Sequence, residues 1–234
     1  MLRMQKIWLT SLVLLFALAL VVTYGDAILC RINYLPFLDA ITLQKRCPVP
    51  TVIPEQDRNH NGIPDSLDLV NGARQEVTGR TRYDASSYPG GYPPEGRGND
   101  ADVIWRAFRS AGYNLKNMVD ADIQNVPFDP GYTDQKLDPN MNFRRVGILD
   151  VFFRHHAVML TTEVRPGDAD NLAQWQPGDI VVFGPPYDHI SIISDRRRKD
   201  GVPLVIHNAW PYATEGDYLM RWSSKIVHHF RYIN

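Results

Sequence analysis

Cysteine is nearly missing from this chain. Cys30 and Cys47 are the only two among 234 residues. That excludes a disulfide-dense scaffold and any four-cysteine zinc or iron–sulfur site. A surplus of either charge is missing as well. Lysine and arginine number 25 against 26 acidic residues, a formal net charge of −1. A protein whose main partner is nucleic acid would carry a clustered basic excess, so that class falls away. No internal repeat and no low-complexity tract are present. The remainder is ordinary for a folded globular protein, with 44% hydrophobic and 22% charged residues. The 16 glycines and 17 prolines predict long structured loops.

The chain opens with Arg3 and Lys6 ahead of an apolar run over residues 7–24. A basic flank before such a run is an export signal or a membrane anchor, and the run sits at the lower limit for spanning a bilayer. Residues 1–26 are therefore a signal anchor or a cleaved signal peptide. Gly25-Asp26-Ala27 offers small residues at a peptidase spacing, but the aspartate matches poorly. Leu29 directly before Cys30 argues against a lipoprotein site. The basic flank stays inside and the rest faces outward. The expected location is the extracytoplasmic side of the cell envelope, membrane-anchored or secreted. That compartment permits a Cys30–Cys47 disulfide beside the membrane. Residues 27–56, with Pro36, Pro48, Pro50 and Pro54, form a connector. The stretch from Pro48 to Asn234 is long enough for one core and too short for two comfortable domains.

Helical spacing appears in Ala101, Ile104, Trp105, Phe108 and Ala111, and again in Val146, Leu149, Phe152, Phe153 and His156. A shorter helix after Ser66 would place Leu67, Val70 and Ala73 on one side. Strand signals come late, at 179–183, 189–194, 203–207 and 226–232, punctuated by Pro-Gly, Pro-Pro and Asp-Gly pairs. Helices succeeded by close-set strands predict an α+β domain with helices packed on an antiparallel sheet.

Residues 57–68 fit D-x-N-x-N-G-x-x-D-x-x-D, the pattern of a calcium loop. Calcium takes six to eight hard oxygen ligands. Asp57, Asn59 and Asn61 supply side chains, Ile63 supplies its carbonyl, Asp65 acts through water and Asp68 closes the site. Gly62 permits the sharp turn. Asp68 departs from the glutamate usual at the twelfth position of an EF-hand. The string resembles the loops of dockerins and thrombospondin type 3 repeats, and with Pro50 and Pro54 just before it no entering helix is expected. Bound Ca2+ would be structural, pinning the connector to the domain.

A second constellation has the layout of a hydrolase. Trp175-Gln176-Pro177-Gly178-Asp179 turns into a strand. Asp188-His189-Ile190-Ser191 begins the next strand, and Val205-Ile206-His207-Asn208 ends another. Alternation puts His189, Ser191 and Ile193 on one face, and adjacent strands would set His207 beside His189, one as base and the other orienting it.

W-x-P-G-D, a strand opening in His and a strand closing in His resemble the NlpC-type cell-wall cysteine peptidases, which implies a papain-like fold over residues 69–234. Tyr88-Pro89-Gly90-Gly91-Tyr92-Pro93-Pro94, Asp102-Val103-Ile104-Trp105-Arg106-Ala107-Phe108, Phe143-Arg144-Arg145-Val146 and Val205-Ile206-His207-Asn208 narrow the resemblance to an exported bacterial family known as domain of unknown function 1287. The peptidase chemistry is implied by the wider superfamily. In relatives the segment before Asp102 reads Gly-Val-Cys-Thr-Asp, with the cysteine opening a helix. Here it reads Gly98-Asn99-Asp100-Ala101-Asp102, so Asp100 stands at the nucleophile position, where it would also serve as an ordinary helix N-cap. Three readings stay open: a catalytically dead relative that binds cell-wall peptides or an envelope protein; a metal site of Asp100, His189 and His207 activating water; or a substituted nucleophile in what is otherwise a cysteine hydrolase. Tyr92, Asp102, Asn208 and Trp210 are expected to bind substrate.

Other features read blandly. His155-His156 and His228-His229 are ordinary core or surface histidines. Arg196-Arg197-Arg198-Lys199 is a solvated hairpin tip. Tyr83, Tyr88, Tyr92, Trp105 and Trp210 could line a cleft, although Trp105 reads better as core.

Overall fold

The computed structural model describes residues 46–185 and 188–233. The expected signal or anchor at 1–26, most of the connector and Cys30 lie outside the described residues. Among those described, no helix is long and apolar enough to cross a membrane, and Cys47 is a free, half-buried cysteine.

The order is helical first and stranded later. Helix α1 (Asp65–Thr78) leads into the short parallel pair β1 (Arg82–Tyr83) and β2 (Arg97–Gly98). Next come α2 (Asp100–Ser110), α3 (Leu115–Asn125), the single-turn α4 (Pro130–Thr133), a 3-10 turn (Asn142–Arg144) and α5 (Val146–His156). The strands are β3 (Val158–Met159), β4 (Ile180–Phe183), β5 (His189–Arg197), β6 (Pro203–Asn208), β7 (Ala213–Gly216) and β8 (Ile226–Arg231), with a short α6 (Ala169–Leu172) before β4. The sheet runs β3-β8-β4-β5-β6-β7 with every neighbour antiparallel. The α+β expectation and its antiparallel sheet are therefore observed.

The sheet divides the core in two because successive strand side chains point to opposite faces. Ile180, Val182, Ile190, Ile192, Ile206 and Phe230 face the helices and pack with Ile104, Phe108, Phe152 and Phe153. Val181, Phe183, Ile193 and Val205 face the other way and pack with Trp175, Leu172 and Leu219. Each fully buried aliphatic or aromatic side chain contributes about 1.5–3 kcal/mol. Strand β4, Ile-Val-Val-Phe, is buried at all four positions, which explains why it reads as a continuous apolar run.

The Trp175–Asp179 turn is a clasp. The Asp179 carboxylate accepts from the Gln176 amide at 2.7 Å, from Arg231 Nε and Nη2 at 2.7 Å each, and from His229 Nε2 at 3.0 Å. His229 stacks flat on Trp175, with centroids 3.9 Å apart. This is a core histidine, as its sequence suggests. The basic turn differs from a solvated tip. Arg196 pairs with Glu215, Arg197 donates to the carbonyls of Gly201 and Trp175, and Arg198 pairs with Asp200 and Asp217. The acids that pair with Arg196 and Arg198 lie mostly far along the sequence, so the run alone could not reveal them.

Candidate functional site

Asp100 does not cap its helix. Asn99 does: its Oδ1 accepts from the Asp102 amide at 3.0 Å, and the Asp102 carboxylate accepts from the Asn99 amide at 2.7 Å, a reciprocal capping box. Asp100 is thereby the first helical residue, with its side chain free of capping duty. Its Oδ1 accepts from the Ala101 amide at 3.0 Å, and its Oδ2 accepts from the Ile190 amide at 3.2 Å. The same Oδ2 lies 2.8 Å from His189 Nδ1. All three interactions bring positive charge or a donor to a carboxylate that the helix dipole already favours.

His189 and His207 come together through the β5–β6 register. Pairing of Ile192 with Ile206 makes the two histidines diagonal neighbours on one face. His189 Nε2 is 2.8 Å from His207 Nδ1, and the rings meet edge to face with centroids 4.9 Å apart. Trp222 stacks on His189 at 4.1 Å, and Tyr218 meets the His207 ring at 4.6 Å. The result is a line: carboxylate, imidazole, imidazole. His189 spends one nitrogen on each neighbour, so the three groups do not converge on a point. Among the described residues no group of three or more His, Cys, Asp or Glu is placed to hold a metal ion. A metal held by Asp100, His189 and His207 would need all three to converge on it, and the linear arrangement does not provide that.

Burial is the main force holding His207 well below the ordinary imidazole value of 6.5, and the neighbouring His189 charge adds to it. The folded protein cannot accept a proton there near neutrality, whereas the unfolded chain can. Below pH 6.5 the unfolded state binds more protons, so stability falls with falling pH, by up to about 1.4 kcal/mol per pH unit. Above that pH the group adds no slope. The carboxylates held low, Asp84 and Glu163 by hydrogen bonds and Asp122 by hydrogen bonds that outweigh its burial, act only below about pH 4.5 and leave the window clear. His207→Gln is expected to shrink the loss of melting temperature between pH 7.5 and pH 5, about the unperturbed imidazole range. An unchanged loss would contradict the assignment.

Asp102 and Asn208, expected to touch substrate, are both fully buried. Asp102 is fully buried in a two-pronged ion pair with Arg144, Nε to Oδ1 at 2.7 Å and Nη2 to Oδ2 at 2.8 Å. It also accepts from Trp105 Nε1 at 2.7 Å. Asn208, equally buried, donates from Nδ2 to the Gly98 carbonyl at 2.7 Å, tying the end of β6 to the start of α2. Gly98 has to be glycine, because a Cβ there would sit 2.7 Å from the Asp102 Cβ. Sequence reasoning missed Arg144, although Phe143-Arg144-Arg145 lay within one of its motifs.

Trp210 is 71% exposed, Tyr212 40% and Tyr83 37%. Tyr83 senses the charges of Asp100 and Asp102, and its phenol is raised by burial first and by those charges next. Its amide donates to the Pro211 carbonyl at 3.0 Å, so the three aromatics share one rim beside the Asp100 end of α2. Tyr212 was not foreseen; its place two residues after Trp210 was the available signal. Tyr92 lies elsewhere, at an opening on the Trp105 side of α2.

The 57–68 loop leads into α1, with no helix ahead of it among the described residues. Gly62 takes φ +83°, the left-handed conformation the turn requires. Asp57 accepts from the Asn61 and Gly62 amides at 3.1 and 2.8 Å. Asp68 Oδ2 accepts from Asn59 Nδ2 at 2.7 Å and Asn61 Nδ2 at 2.9 Å. Ile63 donates its amide to Asn61 Oδ1 at 2.7 Å. Asp65 has both oxygens engaged, by the Arg58 amide at 2.8 Å and the Tyr113 hydroxyl at 2.6 Å.

Residues 70–232 match the family described as Domain of unknown function (DUF1287). The chain belongs to the DUF1287 family. It is 32% identical over 214 residues to "Uncharacterized protein YijF" of Escherichia coli (strain K12), an alignment covering 88% of this chain and 98% of that relative. No solved structure gives a significant match. The DUF1287 region takes in Asp100, His189, His207, Arg144 and the aromatic rim, and it begins just after the 57–68 loop.

Proposed function

We propose that this DUF1287 protein is an extracytoplasmic, papain-like domain of the NlpC type that binds cell-wall peptides, or an envelope protein presenting similar chemistry, without cutting them. The observation that carries the reading is the Asp100–His189–His207 line at the start of α2. In a cysteine peptidase of this plan, a thiolate at a helix N-terminus pairs with a histidine that a third group orients. Asp100 puts a carboxylate where that thiolate would stand. The negative charge and the histidine partner are kept, but a carboxylate satisfied by the Ala101 and Ile190 amides and by His189 is a poor nucleophile. The exposed rim of Tyr83, Trp210 and Tyr212 supplies apolar surface beside it, as binding clefts do. The location rests on the basic flank and apolar run at residues 1–26. Retention of muropeptides by the purified protein without their cleavage is the expected result. An active cysteine-type hydrolase remains the second reading for relatives that carry the thiol.

The 57–68 loop is proposed as a structural Ca2+ site. Its donors are of the right kind: carboxylates of Asp57 and Asp68, amide oxygens of Asn59 and Asn61, and the Ile63 carbonyl are all hard oxygens. Asp65, already bonded to Arg58 and Tyr113, would act from outside, through water. Ligation requires the Asn59 and Asn61 amides to turn, since both now present nitrogen to Asp68. Calcium is expected to raise the melting temperature relative to chelator, by about 2.7 kcal/mol in stability at a hundredfold excess over Kd. Asp57→Ala with Asp68→Ala should abolish that rise. A calorimetric titration with no heat at millimolar calcium would remove the site.

A further inference from the structure

A second opening lies on the other side of helix α2. Trp105 is five residues beyond Asp100, about 140° around the helix, and Arg109 comes one turn later. With Tyr92, Tyr113, Asn114 and Lys116 these residues line a cavity of about 410 Å³. The volume falls in the range of small-molecule sites and exceeds what an inorganic anion fills.

The cavity is chemically one-sided. Its lining contains two cations and no carboxylate. Lys116 is already paired with Asp120 at 2.6 Å. Arg109 is exposed, its guanidinium carbon lies 5.1 Å from the Trp105 ring centroid, and among the described residues it meets no carboxylate. A guanidinium is a planar fork that takes a carboxylate with two parallel hydrogen bonds. The walls are fixed in advance. Tyr113 donates its hydroxyl to Asp65 at 2.6 Å. Tyr92 meets Trp105 edge-on at 5.1 Å and packs on Phe143 at 5.2 Å. Trp105 is itself held by its bond to Asp102.

We propose that this cavity binds a small organic carboxylate, with the acid group in the fork of Arg109 and an apolar or aromatic body against Tyr92 and Trp105. The site is independent of the peptide reading, because none of its lining residues belongs to the Asp100–His189–His207 line or to its aromatic rim.

The test is titration of the full-length protein, monitored through the assigned Trp105 indole N–H resonance. Three probes separate charge from shape: acetate, N-acetylphenylalanine and N-acetylphenylalaninamide, the last being the second without its charge. The acid should shift the resonance saturably, the amide and acetate far more weakly. Arg109→Met should weaken the acid by about tenfold, the loss of one charge-assisted pair, and leave the amide unchanged. Tyr92→Ala should weaken N-acetylphenylalanine and not acetate. Both side chains are exposed, so both variants should keep the parent's circular dichroism spectrum and melting temperature. Absence of a saturable shift with the acid, equal binding of acid and amide, or an unchanged Arg109→Met affinity would each overturn the proposal.

Discussion

Asp100→Cys is expected to carry a thiolate at pH values where an ordinary cysteine is protonated. The substituted position is the first residue of α2, beside the amides of Ala101 and Ile190 and within reach of His189 Nδ1. Helix N-termini and histidine partners bring a thiol from about 8.5 into the range of about 3.5–7.5. A drop of about two units raises the thiolate fraction at pH 6 by nearly a hundredfold, while the weaker intrinsic nucleophilicity of the more acidic thiol returns about tenfold of that. Alkylation by iodoacetamide, read by peptide mass spectrometry, should therefore be about tenfold faster at position 100 than in a free cysteine-containing peptide. His189→Ala in the same background should slow it. A rate equal to that of the free peptide, or indifference to His189→Ala, would mean that the line of residues at the helix start is not a nucleophile-activating arrangement.

Arg144→Met is expected to be strongly destabilising. Arg144 and Asp102 have no exposed side-chain surface. The pair is held by two parallel bonds, and Arg144 Nη1 also donates to the Ser86 carbonyl at 2.8 Å. Removing the cation leaves a buried carboxylate with only the Trp105 indole and the Asn99 amide as donors. Breaking a buried pair in this way costs about 3–5 kcal/mol, or a melting temperature lower by about 10 °C for a domain of this size. The exposed pair of Arg165 and Glu163, with more than half of each side chain in water, gives the contrast: Arg165→Met should leave the denaturant midpoint close to the parent's. Denaturant midpoints measure both. A loss for Arg144→Met no greater than that for Arg165→Met would contradict the structural role given to Asp102.

The two roles of Asp100 and Asp102 show what a sequence can and cannot disclose. Both aspartates stand at a helix start, and the family resemblance put Asp100 at the nucleophile position, with capping as its ordinary role, and made Asp102 an expected substrate contact. The structure reverses the emphasis, because Asn99 takes the cap and Arg144, 42 positions away, claims Asp102. Long-range partners decide such assignments, and no local pattern contains them. The same holds for Arg196 and Arg198, whose distant acids, Glu215 and Asp217, lie on and just after β7.

The periodic elements were legible. Helices α1, α2 and α5 and strands β4, β5, β6 and β8 can be read from apolar spacing, because each buries a defined face. Helix α3 was not seen. Only Leu115, Val119 and Asp122 of its residues are buried, too narrow a stripe to stand out, although the Asn114 cap was there to be read. Strand β7, Ala-Thr-Glu-Gly, has no strand-forming run and owes its place to pairing with β6. The juxtaposition of His189 with His207 was foreseen from strand ends. The stacking of Trp222 on His189 was not, since it comes from a loop whose path depends on the sheet beneath it.

Under the proposed function, this DUF1287 domain keeps the layout of a cysteine peptidase and has exchanged cleavage for binding. Incubation of the purified parent and of Asp100→Cys with muropeptides, with bound and released material analysed by mass spectrometry, tests it most directly. The parent should retain intact muropeptides, and cleavage products should appear only with Asp100→Cys. Cleavage by the parent, or failure of the parent to retain any muropeptide, would contradict it.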